Sequence, residues 1–312
     1  MANITEDGNF TSKLNQALSS PPAGTIECLP ALNIFLSITA SLGNALILIA
    51  LHKVNSIYPP TKLFFRCLAV TDLCVGLIVQ PLFVTSLVSH ITGVNENVVY
   101  YVHSSYIVLS FCLCGVSGLT TTAISVDRLL ALLLGLGYRH VVTLRRVRVV
   151  IICFWFNSAF LGSMAMFKFD IALKVAITLL TLVLVISIYC YTRIFFKLQK
   201  HVCQQQANGG RNSLNIARYK KSVSSVLWVQ LALVACYAPW GIEAGLYINR
   251  MHFGNYLFPG VTETLVCLNS SLNPILYCWK IREVRQAMKD TIRQLNCFKT
   301  FKIVRRIDRD IR

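Results

Sequence analysis

Apolar residues gather in seven long stretches: Leu32–Leu51, Leu63–Val88, Val98–Leu134, Val147–Phe167, Ile171–Phe196, Val223–Ile248 and Leu257–Trp279. About 20 apolar residues in a helix cross the hydrocarbon core of a bilayer. The pattern therefore predicts an all-α membrane protein, a bundle of seven transmembrane helices. Several stretches hold a lone charge or a proline, which spanning helices tolerate where neighbours satisfy the polar groups. The connections are short except His201–Lys221, which carries Gln204, Gln205, Gln206, Gly209 and Gly210 and reads as a flexible loop. The expected organisation is an extracellular tail over 1–30, a seven-helix domain over 31–279 and a cytoplasmic segment over 280–312.

Composition supports the same class. Of 312 residues, 55% are hydrophobic and only 14% charged, against about 25% charged in ordinary soluble domains. That excludes a cytosolic enzyme. The formal charge of +17 would fit nucleic acid, anionic lipid or cytoplasmic loops, and its distribution decides between them. The first thirty residues are polar and contain two glycosylation acceptors, Asn3-Ile4-Thr5 and Asn9-Phe10-Thr11. No cleavable signal peptide is expected, so the first helix serves as the insertion signal and leaves the tail outside.

Seven crossings then bring the C-terminus inside. The outer side holds four basic and seven acidic residues, the inner side twenty-six basic and five acidic, and Asp72 lies within a span. The two faces thus carry −3 and +21, in the sense the positive-inside rule requires. The basic charge marks topology, and nucleic acid is excluded as a partner. Of twelve cysteines, Cys28 falls outside, Cys203 and Cys297 inside, and the rest in or at the ends of spans. Neither a metal-ligand spacing nor a disulfide framework can be built from that set.

An ionisable residue inside a span is costly and points to function. Asp72 is the clearest case, and Asn44, Ser117, Asn269, Ser270 and Asn273 are the polar residues able to face it. A carboxylate among hydroxyl and amide oxygens suits a small hard cation or a shared proton. It equally suits a hydrogen-bond network that holds helices together. Asp127-Arg128 closes the third span, either as a simple ion pair or as a latch for a cytoplasmic partner. Pro239 and Pro274 each remove a backbone bond in their spans and permit a hinge. Beyond Trp279, Ile281, Val284, Ala287, Met288, Ile292 and Leu295 follow helical spacing. They predict an amphipathic helix on the inner leaflet, with Cys297 open to palmitoylation.

These motifs together resemble the rhodopsin-like (class A) G-protein-coupled receptors. Gly43-Asn44, Leu68-Ala69-Val70-Thr71-Asp72, Asp127-Arg128-Leu129, Trp155, Tyr191, Cys236-Tyr237-Ala238-Pro239 and Asn273-Pro274-Ile275-Leu276-Tyr277 fall in the family's order on the expected helices. The resemblance implies a sodium site at Asp72, Ser117, Asn269 and Asn273, with no other cofactor. It implies that Arg128, freed from Asp127, meets a heterotrimeric G protein beside Tyr191 and Tyr277. It places Tyr237 where the family has a pivoting tryptophan. Three features depart from the family pattern. The third helix has no cysteine near His103, the loop at Lys168–Asp170 is short, and Val183 stands where proline is common. They are similar to the melanocortin and cannabinoid branch. Ser110 replaces the amine receptors' aspartate, and Cys267 the opsin lysine.

The ligand pocket implied lies among the outer halves of helices two, three, five, six and seven, at Gln80, His103, Tyr106, Ser110, Cys114, Trp240, Glu243, Tyr247 and Glu263. Glu263, with Glu243, is expected either to bind a cationic group or to lie solvated at the outer rim. The ligand class stays open between small molecule, peptide and lipid, and the location implied is the plasma membrane. A transporter or channel would show paired broken helices in two related halves, and none is found. A non-signalling scaffold would fit Leu129 and Tyr237, but not the retained Arg128, Tyr191 and Tyr277. No nucleophile–base pair, phosphate loop or metal motif suggests an enzyme. At the inner end of the sixth helix, Tyr219 stands where many relatives pair an acid with the arginine. Raised signalling without ligand is expected, and a ligand-free assay that matched empty cells would refute it.

Overall fold

The computed structural model describes residues 23–92, 95–207, 213–249, 257–280, 285–291 and 293, and among these no strand occurs. The first helix is Ala23–Lys53. The second consists of Pro59–Cys74, a π turn Val75–Val79 and Gln80–Thr92. The third to seventh are Glu96–Leu134, Leu144–Phe167, Phe169–Ala207, Ser213–Ile248 and Leu257–Lys280, with a short helix Tyr138–Val141 after the third. Six of these are long and apolar enough to cross a membrane. The seventh packs between the first and sixth and completes a seven-transmembrane bundle.

The polarity of the bundle is inverted relative to a soluble domain. Phe35, Phe156 and Phe160 on the perimeter are 64%, 74% and 70% exposed. Asn33, Asn44, Thr71, Asp72 and Gln80 are wholly buried. Lipid gives no apolar reason for helices to associate, so small residues and internal hydrogen bonds do that work. A side chain at Gly43 would stand 2.8 Å from Pro274 Cγ, and one at Gly162 would stand 2.7 Å from the main-chain oxygen of Val108. These glycines set how closely the first and seventh, and the third and fourth, helices approach.

Local chemistry fixes the ends. Asn95 caps the third helix through the Asn97 N–H at 3.0 Å. That helix stops at Gly135, whose φ of +51° is open to glycine at little cost. Thr143 caps the fourth through Arg146 N. The fourth and fifth helices meet at the single residue Lys168, so the short connection expected there is as short as a turn allows. At the end rich in Lys and Arg, hereafter the basic end, Lys197 Nζ donates to Leu132 O at 2.6 Å and Tyr58 Oη to Val142 O at 2.9 Å.

The seven expected stretches sit inside longer helices, because a helix continues past the bilayer wherever its polar flanks allow. The flexible loop expected over His201–Lys221 is corrected by this. Helix continues to Ala207 and resumes at Ser213, since glutamine, lysine and alanine favour it once water solvates them. The first helix likewise begins at Ala23, inside the span taken for tail. Residues 285–291 are helical. Ala287 and Met288 pack against the cluster of Ile47, Leu51 and Phe64, and Lys53 Nζ donates to Thr291 Oγ1 at 3.0 Å. Asn3, Asn9, Ile281, Val284, Ile292, Leu295 and Cys297 lie outside the described residues, as do the side chains of Tyr219 and Tyr277.

The close approach at Gly162 can be tested. Gly162→Ala drives a methyl into a main-chain carbonyl and should cost about 1–3 kcal/mol, read as a lowered melting temperature in detergent. Gly245→Ala, with nothing within 4 Å, should leave it unchanged.

Candidate functional site

Three polar groups occupy three depths of the third helix. Near the acidic end, opposite the basic one, Tyr106 Oη donates to Glu263 Oε2 at 2.5 Å, and Trp240 Nε1 donates to Glu263 Oε1 at 3.0 Å. Helices three, six and seven thus meet on one carboxylate. Rings surround it: Phe83 lies 5.2 Å from Tyr106, and Phe111 lies 6.1 Å from Trp240. Phe169, at the start of the fifth helix, packs edge-on against both Phe111 and Tyr247. Glu243 accepts a hydrogen bond from Thr262 Oγ1. His103 Nδ1 and Ser86 Oγ lie 3.1 Å apart, joining the second and third helices.

Midway, Asp72 is fully buried and accepts three bonds. Ser117 and Ser270 donate to Oδ1, each at 2.8 Å, and Asn273 Nδ2 donates to Oδ2 at 2.6 Å. Asn44 joins the first helix to this level, donating to Ser270 O at 3.0 Å, while its own Oδ1 has no partner among the described residues. The expected set changes by one member. Asn269 Nδ2 turns to Tyr237 Oη at 3.4 Å, and Ser270 stands on Asp72 in its place. One residue along a helix is a rotation of about 100°, which is why neighbours face different partners.

At the basic end Asp127 is 2% exposed. It takes Arg128 Nη2 at 2.7 Å and Thr61 Oγ1 at 3.0 Å on Oδ2, and Tyr138 Oη at 2.5 Å on Oδ1. A cleft of about 270 Å³ opens beside it, lined by Ser56, Ile57, Tyr58, Thr61, Phe65, Arg128, Ala131 and Tyr138. Tyr191 lies buried in a neighbouring cluster with Leu129, Ile194 and Leu198.

The structure brings together Tyr106, Trp240 and Glu263 of the expected pocket. Cys114 packs with Tyr237 and Val266, below that group, and Ser110 is half-buried on the third helix between them. Gln80 is buried on the second helix without a hydrogen-bond partner among the described residues. Both helices six and seven run through Pro239 and Pro274. Sequence reasoning missed Thr61, Tyr138, Phe111, Phe169 and Thr262. The break Gly135-Leu136-Gly137 was the available sign that Tyr138 could turn back onto Asp127.

Among the described residues no group of three or more His, Cys, Asp or Glu is placed to hold a metal ion. Asp72 instead offers one carboxylate with hydroxyl and amide oxygens around it. The arrangement is a set of neutral donors on buried acids, joined across helices, with the one ion pair among the described residues at Asp127–Arg128.

The sequence is similar to those of known membrane receptors. Residues 43–171 match the model of the 7 transmembrane receptor (rhodopsin family). The chain is 23% identical to melanocortin receptor 5 of Mus musculus, over 93% of this chain and 91% of that one. It is 25% identical to melanocortin receptor 4 of Danio rerio, over 82% and 81%. With adenosine receptor A3 of Ovis aries it shares 24% identity over 81% and 86%. The melanocortin likeness accords with the branch that the sequence departures indicated. The chain is thus similar to the rhodopsin-like, class A seven-transmembrane receptors, through the family model over residues 43–171 and through relatives at 23–25% identity.

Proposed function

We propose that this multi-pass membrane receptor takes an extracellular ligand at its acidic end and activates a heterotrimeric G protein at its basic end, in the plasma membrane. The observation that carries this reading is Asp127. It is a buried acid that holds Arg128 while Thr61 and Tyr138 hold it. Breaking the pair frees a guanidinium beside an open cleft, at the face where +21 of formal charge collects. A ligand acts by binding the released arrangement better than the latched one.

The ligand we infer is cationic, whether small molecule, peptide or lipid-derived. Glu263 is held by two neutral donors, and no cation among the described residues faces it. Its position between Tyr106 and Trp240 favours the binding reading over a solvated rim. The relatives are receptors, which accords with a non-enzymatic role, and the membrane itself is the remaining partner.

Asp72 fits a sodium ion by its donor chemistry. Asp72, Ser117, Ser270 and Asn273 would supply hard oxygens, with the unpartnered Asn44 Oδ1 at the same level. The ion would supply a positive charge that stabilises the buried carboxylate in the latched state.

Four outcomes check this. Arg128→Ala should abolish nucleotide exchange in a screen across G-protein families with amine, peptide and lipid libraries, at unchanged surface expression. Asp127→Asn should raise exchange without ligand, since losing about 1 kcal/mol of latch multiplies a minor active population about fivefold. Replacing choline by sodium should raise the melting temperature of the wild type and leave that of Asp72→Asn unmoved. Glu263→Gln should lower potency for a cationic agonist, and unchanged potency would remove the cation site.

A further inference from the structure

The fourth helix turns one face to the third helix and another away from the bundle. Val147, Ser158, Leu161, Gly162 and Ala165 are buried, and Gly162 meets the main chain of Val108 there. Further round the helix runs a second row: Val150, Cys153, Asn157, Phe160, Met164 and Phe167, at successive steps of three, four, three, four and three residues. All but Met164 are exposed, Phe160 by 70% and Phe167 by 85%. Residues spaced in this way share one stripe of a helix. Steps that alternate between three and four are the seam of a left-handed pair of helices. The apolar members suit lipid and a partner helix alike, whereas Asn157 suits only a partner.

Asn157 lies ten residues from either end of the apolar stretch Val147–Phe167, about 15 Å from each edge of the hydrocarbon core. No water reaches a lipid-facing group at that depth. Other exposed polar side chains on the spans need nothing from outside. Thr85, Ser163, Thr178 and Thr181 each donate to the carbonyl four residues back, at 2.8 or 2.9 Å. Asn249, an exposed asparagine just past the sixth helix, does the same to Gly245 O at 2.7 Å. Asn157 makes no such bond and has no other partner among the described residues. Its amide donors and its carbonyl oxygen are both left to the hydrocarbon, where an unmet amide is costly.

We propose that this stripe is the interface of a homodimer, in which Asn157 pairs with its counterpart in a second copy of the chain. Two copies inserted in one membrane share an orientation, so a two-fold axis relating them runs along the membrane normal. That axis sets each residue of the seam against itself at equal depth. A carboxamide satisfies its own kind, since each Nδ2–H donates to the other Oδ1. A lipid tail offers neither donor nor acceptor, and a headgroup lies at the wrong depth. The apolar members supply contact area without fixing a register. Asn157 fixes it, as a single polar residue does in the seam of a soluble coiled coil. No residue of the fourth helix lines the cleft beside Arg128 or bonds Glu263, so pairing here leaves both sites open.

The test uses the full-length receptor in phosphatidylcholine vesicles, with two fluorescently labelled pools mixed and then diluted with lipid. Energy transfer between wild-type copies should exceed that of random mixing. Asn157→Leu should need about tenfold more receptor per lipid to reach the same transfer, and Asn157→Gln, which keeps the carboxamide, should recover most of the loss. Cys153 sits one turn from Asn157 on the same seam, so copper phenanthroline should link two copies through it, and Cys153→Ser should remove the link. Monomeric Asn157→Leu in detergent should melt with the wild type, because the side chain holds nothing within one copy. Transfer no greater than random mixing, undiminished association of Asn157→Leu, or no recovery in Asn157→Gln would overturn the dimer. So would a cross-link absent from the wild type or surviving in Cys153→Ser, or an Asn157→Leu monomer that melts several degrees lower.

Discussion

Asp72 stands where a charge is hardest to keep. It is fully buried among spanning helices, and its partners are three neutral donors, two on the seventh helix and one on the third. Removing a buried carboxylate from water costs far more than any one neutral hydrogen bond returns. The donors must therefore converge, and convergence fixes the registers of helices two, three and seven. Asn44 adds the first helix by reaching the main-chain oxygen of Ser270. Its neighbour Gly43 lets that helix approach, since Pro274 would touch any larger side chain there. Much of the packing near the centre follows from seating one acid.

The same logic governs the two ends. At the basic end Asp127 also lies out of water, but it has a cation, and Arg128 is itself 37% exposed. A partly solvated guanidinium gains little from a single pair, so this ion pair is a weak one. Thr61 and Tyr138 would stay on Asp127 if Arg128 left, which lowers the cost of leaving that carboxylate buried without its cation. At the acidic end the partners of Glu263 among the described residues are two neutral donors, Tyr106 and Trp240. A cation arriving there would gain a full charge partner without first displacing another. The bundle combines a hydrogen-bonded centre, an ion pair at one end and an acid held by neutral donors at the other.

The spans and their order were legible in the sequence because lipid imposes a length and a composition on every helix. Asp72, Ser117 and Asn273 were legible for a related reason, since an ionisable residue in a span must find partners. Asn269 and Ser270 were both legible as able to face Asp72, but the choice between them was not, because one step along a helix turns a side chain through about 100°. Spacing alone does not set that phase. Tyr138 was missed because it reaches Asp127 across a break at Gly135, and no helical period crosses such a break. The polar run from His201 was read as loop from its composition, yet glutamine-rich sequence is helix-competent in water. The π turn that aims Gln80 inward leaves no periodic signature, since it is a single irregularity in an otherwise regular span.

The sixth helix connects the two kinds of site. Trp240 and Tyr237 are three residues apart and share a face, and each bonds the seventh helix, at Glu263 and Asn269. The two helices are thus pinned at two levels, one at Glu263 and one beside the Asp72 network. The upper bond is 3.0 Å and charge-assisted, while the lower is 3.4 Å between neutral groups. Bonds to a charged group are the stronger kind, so the lower contact yields first when the helices shift. A cation on Glu263, as proposed above, would compete with Trp240 for the same oxygens and leave the weaker lower contact to hold alone. With tryptophan at position 237 the indole N–H could only donate, and the Asn269 amide N–H would lose its acceptor. The tyrosine hydroxyl can accept, which ties the sixth helix directly to the polar core that Asp72 organises.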